Sequence, residues 1–211
     1  MIHYRTILLL ACTPLFGQQY TISTIAGDGA AGVALYNPTG VAVDSAGNVY
    51  LADWSGFIRK IWAGDGATTI VAGTGLLGYG GDGGQATSAM LGKGPCIALD
   101  SAGNVYIADS SNNRIRRVDA ATGIINTIAG TGAATATGGG GPATNAGIPQ
   151  PSGVALDGSG NIYFGSGWDS VRKLTIATAL SVRWLDNSGQ VSVATTVRLS
   201  TLISGIQYRG R

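Results

Sequence analysis

The fold of this chain is decided by a stretch that occurs three times: residues 41–53 read VAVDSAGNVYLAD, residues 97–109 read IALDSAGNVYIAD and residues 154–166 read VALDGSGNIYFGS. The aspartate that opens the turn of each copy lies 56 or 57 positions after the previous one. A period of this size indicates a repeat architecture. Asp can hydrogen-bond the backbone that follows it, and Gly-Asn supplies positive-φ positions, so each copy predicts two strands joined by a tight turn.

Two further strands follow each predicted hairpin. The third strands read FIRKI, RIRRV and VRKL, at residues 57–61, 114–118 and 171–174. The fourth strands end in IVAG at 70–73 and TIAG at 127–130, and TIAG also occurs at 24–27. A sheet of four short strands cannot bury both of its faces alone, so such units are stable when neighbouring copies stack on one another.

These motifs resemble the NHL repeat. The resemblance is carried by GVAVD at 40–44, by NRIRRVD at 113–119, and by the linkers GGDGGQAT at 80–87 and GGGGPAT at 138–144. It covers about residues 20–174 and implies a β-propeller, a fold that this family commonly builds with six blades and uses mostly for binding. We therefore expect an all-β chain, a β-propeller segment of about three four-stranded blades in an open or incomplete ring.

The chain departs from the family pattern at its edges. Ser166 stands where the other copies have Asp53 and Asp109, and the pattern decays after Leu174, with only residues 189–194 resembling a fourth strand. Residues 20–26 resemble a closing strand. Uncovered blade edges promote association, so the sequence predicts either self-association through exposed edges or a truncated fragment without independent activity.

Composition supports strands and argues against a polyanion-binding protein. The chain has 35 glycines, no glutamate and only 11% charged residues, a composition typical of strands and turns rather than of helices. The net charge is +2 and no long basic block occurs. A nucleic-acid partner is therefore not expected.

The N-terminal residues predict export. Arg5 precedes an apolar stretch over residues 7–16 that is too short to span a bilayer and suits a signal peptide. We expect a signal peptide at 1–17, propeller blades at 18–196 and an irregular tail at 197–211, with a periplasmic or extracellular location. One alternative is lipid modification of Cys12. Another is a buried first strand. No later apolar run reaches the length of a transmembrane span.

Loops on one rim of the blades are the predicted ligand face, because interblade linkers and the loops after the second strands fall on the same side of an antiparallel blade and loops carry recognition residues. The candidates are Asp53, Trp54, Tyr79, Asp82, Asp109, Asn112, Asn113, Trp168 and Asp169.

Each candidate also has a structural interpretation. The two strand-end aspartates would tie down the following loops, and the two tryptophans would pack between blades. Asp82 would be a solvated turn residue or a weak Ca²⁺ ligand. The third copy has Gly139 near the corresponding place, so no repeated metal site is predicted.

A basic pair recurs in the third strand of every blade, at residues 59–60, 116–117 and 172–173. Such a stripe could bind polyanions. The favoured interpretation is that one member pairs with a strand-end aspartate while the other covers apolar surface with its stem.

Catalytic chemistry has few residues to work with. Cleavage near Gly17 would remove His3 and Cys12 and leave one cysteine and no histidine, which argues against a zinc site and against a Ser-His-Asp triad. We expect a non-catalytic binding scaffold for a protein or carbohydrate ligand, with no cofactor. The alternative is a propeller hydrolase or lyase supported by Ca²⁺, which aspartate and backbone oxygens could hold.

Overall fold

The computed structural model describes residues 21–27, 34–167, 169–175, 183–185 and 191–193. The chain divides into two compact units, residues 1–34 and residues 35–211. The expected signal peptide at 1–17 and tail at 197–211 lie outside the described residues. Residues 21–26 form no strand, so the predicted leading strand is wrong over this stretch, because a strand requires a paired neighbour for its backbone groups.

The second unit contains the predicted antiparallel sheets. Blade 1 is β1 (Pro38–Val43), β2 (Val49–Asp53), β3 (Ile58–Ile61) and β4 (Thr68–Ala72). Blade 2 is β5 (Cys96–Leu99), β6 (Val105–Asp109), β7 (Arg114–Val118) and β8 (Ile125–Ala129). Blade 3 contains β9 (Ser152–Leu156), β10 (Ile162–Ser166) and β11 (Ser170–Leu174). Single 3-10 turns occupy Ala86–Ser88, Ser110–Asn112 and Ala143–Asn145.

The prediction of about three blades is confirmed, with three of the four expected strands described in blade 3. The segment expected to resemble its fourth strand contains β13 (Val191–Val193), which pairs with β12 (Arg183–Leu185) in a separate two-stranded sheet. The alternation of apolar and polar residues predicted a strand in that segment. Which strand it pairs with depends on the neighbour that satisfies its backbone N–H and C=O groups. Among the described residues, no helix is both long and apolar enough to cross a lipid bilayer.

Each blade has two faces, because side chains alternate along a strand and cross-strand partners share a side. We call the side that carries Ile97 and Leu99 in blade 2 the leading face, and the side that carries Tyr106 and Ile115 the trailing face. The trailing face of blade 1 packs on the leading face of blade 2 in one core. The trailing face of blade 2 packs on the leading face of blade 3 in a second core.

The constant spacing of Asp and Asn in the three hairpins is explained by a turn that recurs in all three blades. Asp100 Oδ1 accepts hydrogen bonds from the backbone N–H groups of Ala102 and Asn104, at 3.0 and 2.9 Å. Asn104 donates its side-chain amide to Asp100 Oδ2 at 2.7 Å and accepts the Ala120 N–H at 2.9 Å. The buried amide therefore fixes the start of the second strand to the turn that follows the third.

The backbone geometry of this turn differs from the prediction in one respect. The glycine has a positive φ, +82° at Gly103, but the following asparagine does not belong to the positive-φ residues. Its contribution is the side-chain amide, which bonds Asp100 and the Ala120 N–H. The expectation that both residues of Gly-Asn supply positive φ was therefore wrong for the asparagine.

The glycine that ends the fourth strand is required by a close approach of two backbone segments. Gly130 has φ +101°, and a Cβ there would lie 2.5 Å from the carbonyl oxygen of Asn113. Gly73 of blade 1 has φ +96° and faces the carbonyl of Gly56 in the same way. Only glycine tolerates this conformation and this contact together.

We expect Gly130→Ala to lower the free energy of unfolding by at least about 2 kcal/mol, because it adds both a left-handed alanine and a backbone clash. Gly139→Ala is the matched control, since nothing lies within 4 Å of its Cβ position and its φ is not positive. Urea denaturation followed by fluorescence would measure both variants. Equal stabilities would contradict the close approach.

Acid should weaken the hairpin turns. The amide of Asn161 is the main cause that lowers the pKa of Asp157 to about 2, with burial acting in the opposite direction. Because this folded-state pKa lies below the unfolded value of about 3.9, the stabilisation is complete above about pH 4 and is lost as the pH falls towards 2. We expect Asp157→Asn to show a shallower fall of the urea midpoint over that interval. Parallel curves for the two proteins would contradict the assignment.

Candidate functional site

The loops predicted to form one rim do meet in the structure. The linker between blades 1 and 2 contacts the loop after β6, where Asn112 donates to the carbonyl of Gly78 at 2.7 Å. Asn113 bridges the next linker, since its side chain donates to Gly132 O at 3.0 Å and accepts from Gln150 N–H at 2.8 Å. Both asparagines are half-buried and hold loops together.

The strand-end aspartates are buried rather than presented to solvent. Asp53 accepts the guanidinium of Arg59 at 2.7 Å, the N–H of Tyr36 at 3.3 Å and both the N–H and the hydroxyl of Ser55. Asp109 accepts the Gly92 N–H at 2.8 Å and the Asn112 amide at 2.9 and 3.0 Å. Burial raises the pKa of Asp109, against the lowering effect of these donors and of Arg116. Both carboxylates therefore act as loop anchors.

The first arginine of the recurring basic pair holds the interblade linker. The fully buried Arg116 donates to Met90 O and Gly80 O, both at 2.8 Å, and to Asp82 at 2.6 Å, and it lies 3.6 Å from Asp109. Its counterpart Arg172 donates to the corresponding linker carbonyls, Gly147 O at 2.6 Å and Thr137 O at 3.1 Å. These arginines point into the protein.

The second member of the basic pair lies nearer the surface in blade 2, where Arg117 is 34% exposed and Arg116 is fully buried, whereas Arg59 and Lys60 of blade 1 are about equally buried. Lys60 pairs with Asp44 at 3.3 Å and lies 3.9 Å over the ring of Trp62. Arg117 pairs with Asp119 at 2.9 Å while both side chains stay about one third exposed. The interpretation of the pairs as structural elements is thereby confirmed for blades 1 and 2.

Asp82 is a second anchor of the same linker. Its Oδ1 accepts Arg116, and its Oδ2 accepts the hydroxyl of Tyr79 at 2.9 Å and the Thr127 N–H at 3.0 Å. Burial raises the pKa of Asp82, but the donors Thr127 and Arg116 outweigh it and lower the pKa overall. A guanidinium 2.6 Å from the carboxylate leaves this position poorly suited to Ca²⁺. Among the described residues, no group of three or more His, Cys, Asp or Glu side chains is placed to hold a metal ion.

The exposed part of the rim is apolar and aromatic. Leu76 and Leu77 are 67% and 53% exposed, and Leu77 packs close to Gly56 in the loop that begins with Trp54. Lys93 lies 4.1 Å over the Trp54 ring. We call Leu76, Leu77, Tyr79 and Trp54 the rim patch. Sequence reasoning missed the two leucines, although an adjacent apolar pair inside a glycine-rich linker was a usable signal.

Tyr79 completes the rim patch and is held rigidly. Its side chain is partly exposed, and the guanidinium of Arg114 stacks 3.6 Å from its ring centre. Arg114 in turn donates to Asn112 O at 2.9 Å and Thr131 O at 2.7 Å. A fixed aromatic ring offers a large contact area at a low cost in conformational entropy.

Blade 3 lacks the strand-end aspartate that anchors loops in the other two blades. Ser166 occupies the aspartate position, is buried, and has a hydroxyl without a hydrogen-bond partner among the described residues. Asp169 is exposed, and Trp168 lies outside the described residues. The rim is therefore most fully built between blades 1 and 2.

Two cavities lie away from the rim patch. One of about 340 Å³ lies between blades 2 and 3, against Tyr106, Arg117 and Leu174. The other, of about 840 Å³, lies between β11 and the linker at 138–143. In blade 2 the corresponding linker is paired with β8, through Gly83 N–H to Ile125 O at 2.8 Å and Ile125 N–H to Gly84 O at 3.0 Å. The larger cavity thus lies where a fourth strand sits in blade 2.

We expect Arg116→Met to lower the free energy of unfolding by at least about 3 kcal/mol, because it leaves the buried Asp109 carboxylate without a cation. The adjacent Arg117→Met is the control and should change stability by about 1 kcal/mol or less, since it removes a surface pair. Urea denaturation would measure both. Equal losses in the two variants would contradict the role of Arg116 as a linker clamp.

Solved structures resemble this arrangement of sheets. A structural genomics protein of unknown function from Bacteroides thetaiotaomicron matches at 21% identity and a TM-score of 0.52, over 74% of this chain and 35% of that chain. An auxiliary nutrient binding protein from the same organism matches at 18% identity and a TM-score of 0.42, over 74% of this chain and 35% of that chain. Virginiamycin B lyase from Staphylococcus aureus matches at 18% identity and a TM-score of 0.39, over 75% and 49% of the two chains.

Only the first of these similarities is close enough to carry an argument, and at that identity it concerns the fold alone. The chain spans about 35% of the length of that protein. No curated protein sequence matches the chain.

Two family models match the chain itself. The NHL repeat matches residues 35–56, which contain the first hairpin. The teneurin NHL domain matches residues 77–138, which contain the linker with Asp82 and all of blade 2. The matched segments are those in which the hairpin turn, the linker clamp and the glycine after the fourth strand are built. Residues 35–56 and 77–138 are therefore similar to NHL repeats, and the four-stranded sheets that they help to form are blades of the β-propeller type.

Proposed function

We propose that this protein is an exported, non-catalytic binding scaffold that holds a protein ligand on the rim patch. The observation that carries the proposal is that polar and apolar side chains on the rim make different contacts. Asp53, Asp82 and Asp109 are used in internal contacts. Leu76, Leu77 and Tyr79 are instead turned to solvent. A contiguous apolar and aromatic surface on rigid loops suits a protein partner.

The proposal of a non-catalytic role rests on what the carboxylates contact. Asp53 and Asp109 are fully buried, so neither can touch a substrate on the rim. Asp82 is bound by Arg116, Tyr79 and Thr127. General acid–base catalysis needs a group within hydrogen-bond reach of the substrate, and these three carboxylates are committed elsewhere.

A protein ligand fits the rim patch better than a polyanion does. The recurring arginines are directed towards linker carbonyls and carboxylates, so they form no free basic stripe. Lys93 and Arg114 lie on aromatic rings, which adds positive charge at the border of the patch and favours a ligand with an apolar centre and acidic flanks. A carbohydrate would instead require a bare aromatic platform.

Export remains part of the proposal and is supported by the sequence of residues 1–17. Its short apolar run after Arg5 suits a signal peptide.

The test uses a phage-displayed random peptide library and a glycan array, both probed with the full chain. We expect enrichment of peptides with apolar centres, and we expect Leu76→Asp to weaken the binding of a selected peptide at least about tenfold, because it places a charge in an apolar contact. Fluorescence anisotropy with the labelled peptide would measure the affinity.

Trp62→Ala is the control, since Trp62 is a partly exposed aromatic residue in the turn after β3, away from the rim patch. It should leave the affinity within about twofold. Binding of glycans alone would overturn the protein ligand. Peptide binding that is indifferent to Leu76→Asp, or no enrichment at all, would overturn the rim patch as the site.

A further inference from the structure

The three blades provide an internal comparison of what covers each face. The leading-face position held by Ile97 in blade 2 is only 6% exposed, because the trailing face of blade 1 packs against it. The corresponding Val154 of blade 3 is packed against blade 2. In blade 1 the same position is Val41, which is 63% exposed, and the neighbouring Val43 is 60% exposed. Leu51 and Ile61 on the same face are only 7% exposed, so the exposed part of this face is its first strand.

On the trailing faces, exposure of the equivalent residue is instead highest in blade 3. Ile58 of blade 1 and Ile115 of blade 2 are both fully buried, by blade 2 and blade 3 respectively. The equivalent residue of blade 3 is Val171, which pairs with Gly165 across the sheet and is 79% exposed. The first strand on the leading face of blade 1 and the third strand on the trailing face of blade 3 therefore expose apolar side chains, at positions that are packed at the two interblade interfaces of the described residues.

We propose that copies of this chain associate head to tail, with the trailing face of blade 3 of one copy packed on the leading face of blade 1 of the next. The internal interfaces identify a second copy as the partner. The equivalent leading faces of blades 2 and 3 are each packed against the trailing face of the preceding blade. A β-branched or leucine side chain stands at each of the three exposed positions, as it does at the buried equivalents. Exposed apolar faces of this kind are association sites.

The two faces differ, so the contact is heterologous rather than two-fold symmetric. A copy with a damaged leading face can still offer its trailing face, and the reverse holds for the other damage. This property separates the proposal from pairing of two leading faces or two trailing faces. It does not depend on the ligand of the rim patch, because the rim and the blade faces use different residues.

The experiment measures the mass of the full chain by sedimentation equilibrium over a concentration series. We expect wild-type protein to associate, and we expect Val43→Asp and Val171→Asp each to weaken that association at least about tenfold, because each buries a charge in an apolar contact. An equimolar mixture of the two variants should form a heterodimer, since one intact face of each kind remains. Both substituted residues are mostly exposed in the single chain, so the fold should be retained, and far-UV circular dichroism would check it.

The controls are Val43→Leu and Val171→Ile, which install the residues found at these positions in blade 2. They should associate like the wild-type protein. A monomeric wild-type chain at all concentrations would overturn the proposal. So would loss of association in only one of the two aspartate variants, which indicates a symmetric contact, or failure of the mixture to pair.

Discussion

The structure depends on the mutual covering of blade faces. Each of the three blades carries apolar side chains on both sides, and an apolar face gains its stability only where another sheet removes it from water. The two cores consist of alternating contributions, a trailing face from one blade and a leading face from the next. Small residues such as Ala52 and Ala108 in the second strands allow the sheets to approach closely.

Polar groups control how the blades are spaced. The glycine-rich linkers cannot form a core of their own, and their carbonyls are satisfied by an arginine that reaches out from the third strand of the following blade. Arg116 and Arg172 bind equivalent carbonyls although only the first has aspartates beside it. The positive charge of the repeat is therefore part of the scaffold, which explains why a chain with so few charged residues places them at recurring positions.

Charged residues of the rim are also used to hold the structure together. Carboxylates that would be obvious candidates for ligand contact are the residues that hold the loops in place, as Asp53 and Asp109 do with several donors each. What they leave exposed is hydrophobic, and its rigidity comes from Arg114 stacked on Tyr79. Anchored loops of this kind can present an apolar surface without collapsing onto it.

The amino-acid sequence by itself determined the repeat, the strand pattern, the hairpin turn and the recurring basic pair of the third strands. Each of these depends on residues close together in the chain or on the period that relates the copies. Only the tertiary structure decided which polar side chains are free to contact a ligand. Asp109 and Asn112 read as surface loop residues in the sequence, but contacts with Gly92 and Gly78, far away in the chain, use their polar atoms. Exposure of Leu76 and of Val171 was likewise undecided by local pattern, since it depends on whether another segment lies above them. Burial is a property of packed neighbours, and only the assembled blades specify those.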